Sequence, residues 1–441
     1  MLQFAHGAVQ WLTTQALNTV IPVTGSTFAS GSATGQEFEP KAIRFYWTGI
    51  QSNRPTALIT NNTVSERRGV GFAASAASRA SVGSTSTQNS GNANCGSIFS
   101  NTACVVTVTD AGVLDGLLDI NTFNSGGFTL IVDDVAPQNI TVFWEAWGGD
   151  EITNVTVGSI AEPAATGLQS YTATGFVANP INGDQCVMFA GVQSVSAAGT
   201  GEGQDSGLHV GFSTGTATGS NITLCGNSDD GSATMDTDGY NYTGECLSMI
   251  TIAGGNPNAR AVLSAYGTDT FTLDWRARNN LNRRSIYMAI KGGEWSAGST
   301  TIAGNTLNST TTVGDFPFNV RGVSLLGSLK TISTIATSTG NDRITFGSGI
   351  SPTFRNSASS LDFDNIPTSA VQLAVNYAQV LVYPTTASTA VFAAYDINNL
   401  KANSFQLITD TAGGVANEWI GYLAFGDRKP RTVSIGHPFI N

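Results

Sequence analysis

The densest set of oxygen ligands in the chain is Asp229, Asp230, Asp236, Asp238 and Glu245, in a stretch that also holds Asn227 and Asn241. Hard cations draw several oxygens from one loop, and Asp236-Thr237-Asp238-Gly239 has the opening of a calcium loop. The glutamate such a loop needs at its twelfth position is missing, and Asp is common in turns for its local hydrogen bonds. The stretch is read as a turn. Asp229, Asp230, Asp236 and Asp238 are the calcium candidate it leaves, and neither a metal nor a cofactor is expected. Tyr240 and Tyr242, beside it, could stack on sugar rings and are the candidate binding residues of a carbohydrate-adhesion reading.

Covalent and acid-base catalysis need a nucleophile, a base and an orienting group in reach of one another. The three histidines, His6, His209 and His437, lie at the start, inside a strand-like stretch and in the tail. None stands beside a turn that would present a nucleophile, and His209, between Leu208 and Val210, is read as a solvated strand residue. Catalytic residues are therefore not expected, and the chain is read as non-enzymatic. Gly69-Val70-Gly71-Phe72-Ala73-Ala74 imitates a dinucleotide fingerprint without the strand, turn and helix that motif requires. Arg67, Arg68, Arg276, Arg278, Arg283 and Arg284 are the basic concentrations, read as ion-pairing positions at contacts between repeats.

The elements that must position these groups are written three times. Gly127-Phe128-Thr129-Leu130 with Ile140 to Gly149 reappears as Thr270-Phe271-Thr272-Leu273 with Ser285 to Gly293, and as Ser404-Phe405-Gln406-Leu407 with Glu418 to Asp427. Phe128, Phe271 and Phe405 are 143 and 134 residues apart. A Gly/Phe strand at Phe72, Phe212 and Phe346 repeats at 140 and 134. These periods are domain-sized, unlike the roughly 20 to 50 residues of solenoid repeats, so each copy can bury a core of its own. Ile43, Phe45 and Trp47 alternate with Arg44, Tyr46 and Thr48, the period of a strand with one buried face.

The segment after Val113 could form a helix, yet Gly116 and the copy Ala261 to Tyr266 favour a strand. Residues 80–104 and 213–246 are read as variable turn-rich loops, and Glu151 to Ala165 and Glu294 to Thr301 as links. The expected fold is all-β: three tandem antiparallel β-sandwiches, jelly-roll or immunoglobulin-like, over 1–155, 156–297 and 298–441, packed as a compact row or cluster.

Composition agrees with this. Charged residues are 12% of the 441, against a usual figure of about 25%, and 50 are Gly. The recurring aromatics exclude a disordered chain. A net charge of −11 argues against nucleic acid as a partner, and no run reaches the roughly 18 apolar residues of a membrane span. The first 25 residues lack the layout of a secretory signal, so the five cysteines are expected to be mostly free thiols. Cys95 with Cys104 and Cys225 with Cys246 are the pairs that could close.

Glu66 to Ala73, Gly127 to Leu130 and Val142 to Trp147 together resemble virion-associated proteins of tailed bacteriophages, especially marine and environmental ones. The resemblance implies a structural part of a virion, assembled in the host bacterial cytoplasm, with sandwich repeats as spacers or adhesion modules. A tail or fibre-like appendage component is the expected role. A head-decorating cement protein of the capsid and a carbohydrate-binding adhesion module are the alternatives. Expected partners are other virion proteins, further copies of the chain in a homo-oligomer such as a trimer, and a host surface glycan.

Overall fold

The computed structural model describes residues 1–50, 58–61, 64–87, 91–92, 94–180, 183–193, 197–199, 201–203, 205–231, 233–250, 257–278, 283–332, 341–364, 371–385 and 391–429. Six antiparallel sheets form three sandwiches, each a large sheet packed on a four-stranded one. In the first copy Gln3–Trp11 lies beside Ile140–Gly148, followed across the large sheet by Pro40–Trp47, Glu66–Ser75, Ser78–Ser86 and Cys95–Ser100. Its small sheet runs Val20–Thr24, Gly127–Asp134, Leu114–Asn124, Val105–Val108. The first strand beside the last, and Val20–Thr24 beside Gly127–Asp134, is the outer winding of a jelly roll, whereas the inner strands are plain meanders.

The copies superimpose strand by strand. Phe128, Phe271 and Phe405 face Phe123, Tyr266 and Leu400 across the same ladder, and a bulge follows one residue later in all three. All three phenylalanines are in the inter-sheet cores, at most 1% exposed. The segment at 114–124 is a strand, not a helix. Gly71, Gly211 and Gly347 oppose Phe45, Phe189 and Leu325. A Cβ at any of the three would collide with the carbonyl oxygen of Cys104, Cys246 or Val380, so the small sheet can approach only a glycine. This register corrects one sequence alignment: the third-copy residue at the Phe72 position is Ser348, and Phe346 stands where Val70 and Val210 do.

Two further readings change. The stretches expected to link domains, 151–165 and 294–301, are largely strands, Asn154–Ala161 and Glu294–Ile302, each the first strand of the copy that follows. The third copy therefore starts at Glu294. The loops expected at 80–104 and 213–246 contain Ser78–Ser86, Cys95–Ser100, Asn221–Ser228 and Thr237–Thr243, strands of the large sheets. Their Ser and Gly serve close packing rather than turns: Ser81, Ser84, Ser86, Ser97 and Ser228 are all buried.

The three sandwiches stand around a common axis, not in a row. One hydrophobic core draws on all three large sheets, including Phe4, Tyr46, Phe143 and Trp147, then Met188, Phe212 and Met288, then Trp295, Phe346 and Phe425. The ring closes between the third copy and the first, where the Phe4 and Phe425 ring centroids are 4.4 Å apart. Strand exchange reinforces it. Leu58–Asn61 of the first copy pairs with Val371–Asn376 at the edge of the third, and Gly201–Glu202 of the second pairs with Cys95–Ser100 of the first. In the third copy, residues 333–340 lie outside the described residues. Before them in the chain, Ser328 Oγ meets Asn241 Nδ2 at 2.6 Å and Lys330 Nζ donates to Gly239 O at 3.2 Å, both on the edge strand of the second copy.

Candidate functional site

The acidic stretch does not gather into an ion site. Among the described residues no group of three or more His, Cys, Asp or Glu side chains is arranged to hold a metal. Asp230 Oδ1 accepts from Cys95 N at 2.8 Å and so fastens the second copy to the first. The Asp229 amide donates to Asp236 O at 3.0 Å, closing the turn. Asp236 is exposed, and Asp238 is buried on the edge strand. Burial, then Asp364 and Asp229, raise the Asp236 carboxyl. Tyr240 is fully buried and stacks on the half-buried Tyr242 at 5.8 Å, so its face is not open to a sugar. Period-two alternation turned it inward, packed with Cys225 and Ile250.

His209 is also buried, not solvated. It lies between the sheets of the second copy, over Gly191 and opposite Cys225, beside a void of only ≈ 10 Å³ that it lines with Gln193, Met249 and Ile250. Burial, aided by Arg283, pushes its imidazole down to about 3. His6 Nδ1 is 3.1 Å from both Ser348 Oγ and Asn356 Nδ2, where the ring closes. His437 lies outside the described residues. All five cysteines are buried, and none is in a disulfide.

The ionisable groups that sequence reasoning missed sit on the axis. Arg44 pairs with Glu145 at 2.8 Å, both essentially unexposed, and Glu145 Oε1 accepts from Ser324 Oγ of the third copy at 2.8 Å. The guanidinium carbon lies 5.2 Å from the centre of the Phe212 ring of the second copy. The equivalent pairs elsewhere are Met188 with Met288 and Ser324 with Leu423. Nearer one end, Arg68 pairs with Asp342 of the third copy and lies 3.4 Å from Glu66. It also donates to Ser84 Oγ at 3.2 Å. Asp362 accepts from Ser228 Oγ of the second copy.

Three carboxyls thus share one guanidinium in a dry interface. Burial raises Glu66 well above the usual carboxylate range, against the pull of Arg68, and pushes Asp362 up to about 6. Of the arginines expected at contacts between copies, Arg68 is one. Arg67 pairs within its copy with Asp115, Arg276 with Asp274, and Arg283 Nη1 donates to Asn258 at 2.6 Å.

Solvent reaches the chain at a cleft between the first and second copies. It measures ≈ 380 Å³ and is lined by Glu39, Lys41, Ser75 and Phe123 on one side and Thr153 to Val155 on the other. Thr153 also lines a recess of ≈ 320 Å³ holding Asp150, Glu151, Asp184, Lys291 and Arg428. Lys41 Nζ donates to Gly149 O at 3.0 Å and Ile152 O at 2.7 Å, and Lys291 pairs with Asp184 at 2.7 Å. Nothing in the sequence pointed here, because the cleft exists only where two copies meet. No protein-family model matches the chain, and no curated protein matches it.

Proposed function

We propose that this chain is a non-enzymatic structural protein of a tailed-phage virion, a three-lobed body that does within one chain what a trimer of single sandwiches would do. The observation that carries the reading is the closed ring: three equivalent sandwiches around one core, with strands exchanged between copies in the same rotational sense. Such a body suits a place on the axis of a cyclic assembly, the usual symmetry of oligomers, and the tip of a tail or fibre-like appendage is the placement favoured here. A head-decorating protein is the second reading, favoured by the same pseudo-three-fold shape, which matches a local three-fold position on a shell.

Two large-sheet edges are paired by strands from another copy, which leaves the small sheets as the main surface for particle proteins or further copies. Their outer faces carry hydroxyls and amides, with Thr129, Thr272 and Gln406 at equivalent positions and bonded to Thr122, Ser170 and Thr312 on adjoining strands. Such groups are cheaper to desolvate than charges when a partner covers them. The most displaced carboxyls on the axis lie between copies, where a substrate has no access. Mass spectrometry of purified particles tests the proposal and should find the chain at fixed stoichiometry, with imaging placing it on a three-fold axis. A chain absent from particles that degrades a polysaccharide would overturn it.

A further inference from the structure

We propose that the cleft between the first and second copies is a saccharide-binding site for neutral sugars. The argument begins with broken symmetry. Each first strand packs against the neighbouring copy, and Phe4, Val155 and Trp295 stand at the same position, opposite Trp147, Ile290 and Phe425. Phe4 is 1% and Trp295 2% exposed, both among the axial aromatic rings. Val155 is half-buried, and so are Thr156 and Val157 after it, whereas their counterparts His6 and Ala297 at the Val157 position are buried. On the other side of the contact, Tyr266 is buried with its hydroxyl on Gln185 O, while its first-copy equivalent Phe123, like Leu400 of the third copy, is half-exposed, and of the two only Phe123 offers an aromatic face, which lines the cleft. Where two contacts hold large aromatic side chains, the third holds valine and stays open.

The lining chemistry selects the ligand. Binding pockets combine apolar contact with a few placed polar groups, and this one offers the Phe123 ring with Ser75, Thr153 and Asn154 around it. Ser75 Oγ already accepts from two amides, at 3.2 and 3.1 Å, which leaves its proton to donate. Thr153 Oγ1 lies 3.3 Å from Lys291 O, so its lone pairs remain to accept. The Lys41 ammonium is held by two carbonyls. In the adjoining recess three carboxylates face Lys291, Arg428 and the Met1 ammonium, which lies 3.3 Å from Glu151. Among the described residues no cation there is left over for an anionic sugar, which would also meet Glu39 in the cleft, whereas the hydroxyls of a neutral sugar can donate to that carboxylate. A pyranose ring over Phe123, with its hydroxyls on Ser75, Thr153 and Asn154, satisfies these groups together.

The proposal does not depend on the particle reading, since an array reads the cleft and particle mass spectrometry reads the location. The full chain is applied to an array of lipopolysaccharide core, O-antigen and capsular oligosaccharides, and binding to the best neutral glycan is then titrated. Val155→Trp, which gives this contact the residue of its sister, and Phe123→Ala, which removes the stacking face, should each weaken binding at least tenfold. Both should elute as the parent does, and Phe123→Ala keeps the test valid if the tryptophan misfolds. The proposal is overturned if the parent binds no neutral glycan, if it prefers acidic ones, or if Phe123→Ala binds as tightly as the parent.

Discussion

Phe128, Phe271 and Phe405 are the residues through which the repeat declares itself, and the structure gives all three the same task. Each fills the space between two sheets against an aromatic of the last strand, Trp144, Tyr287 or Tyr422, with centroids 5.4, 5.0 and 5.4 Å away. Truncating any one to Ala should cost about 3 to 5 kcal/mol, the range for deleting a buried aromatic, read as a shift of the urea midpoint. Residue-level charge makes a second prediction. Burial pushes Asp396 and Glu418 up to about 7 and Asp205 and Asp362 up to about 6.

A carboxyl with a raised folded pKa contributes stability that is full below its unfolded value, near 4, and is lost as the pH rises through 6 to 7. His209 has the opposite sign, because its folded value of about 3 lies below the unfolded 6.5, so its contribution fades as the pH falls. Four carboxyls outweigh one imidazole near pH 5.5. The unfolding midpoint should therefore be higher at pH 5.5 than at pH 8. Glu418→Gln should narrow that difference, because Glu418, hydrogen-bonded by Tyr395, then no longer titrates.

At the scale of elements, strands with an aromatic or β-branched alternation were legible and strands of Ser and Gly were not. Ser78–Ser86 reads Ser-Arg-Ala-Ser-Val-Gly-Ser-Thr-Ser, which is turn chemistry by composition. It is a strand because small side chains let both its faces pack closely: Ala80 and Val82 in the axial core, Ser81 and Gly83 against Ala103 O and Val106 O of their own copy. The same blindness hid Asn154–Ala161 and Glu294–Ile302 as links, since a first strand paired to the last shows no local partner in sequence. His209 was misplaced because its space is made by Gly191 on the next strand.

The calcium candidate failed for a related reason: its carboxylates were close in sequence but spread over a turn and an edge strand. The exchanged strand Leu58–Asn61 was equally invisible, because its partner is about 310 residues away in the chain. Replacing residues 56–63 with a Gly/Ser loop should leave Val371–Asn376 as an open edge. Hydrogen exchange of that strand should then accelerate well before the small sheet of the third copy does.

At the scale of the molecule, the three contacts between copies are equivalent in geometry and unequal in chemistry. The first two are linked covalently through Gly149 and Gly292, so proximity is imposed by the chain. The contact between the third copy and the first has no such tether, and buried polar pairs cross it, an ion pair among them. Arg68 meets Asp342, Glu145 meets Ser324, and Tyr46 Oη donates to Asn356 Oδ1 at 2.6 Å. Dry polar pairs add little net stability over apolar packing, but they penalise any register that leaves one partner alone. They therefore fix how the ring shuts.

Arg68→Met tests this directly, since it leaves Glu66, Asp342 and Asp362 buried without their cation. The loss expected for orphaning a buried charge is about 3 to 5 kcal/mol. Exchange should quicken first in Glu66–Ser75 and Asp342–Ser351, which carry the seam, while Thr270–Ala277 in the small sheet of the second copy stays protected. Neutralising the carboxyls as well, with Glu66→Gln, Asp342→Asn and Asp362→Asn, should recover much of the loss. Equal acceleration in all three copies would mean that the seam is not the weakest contact of the ring.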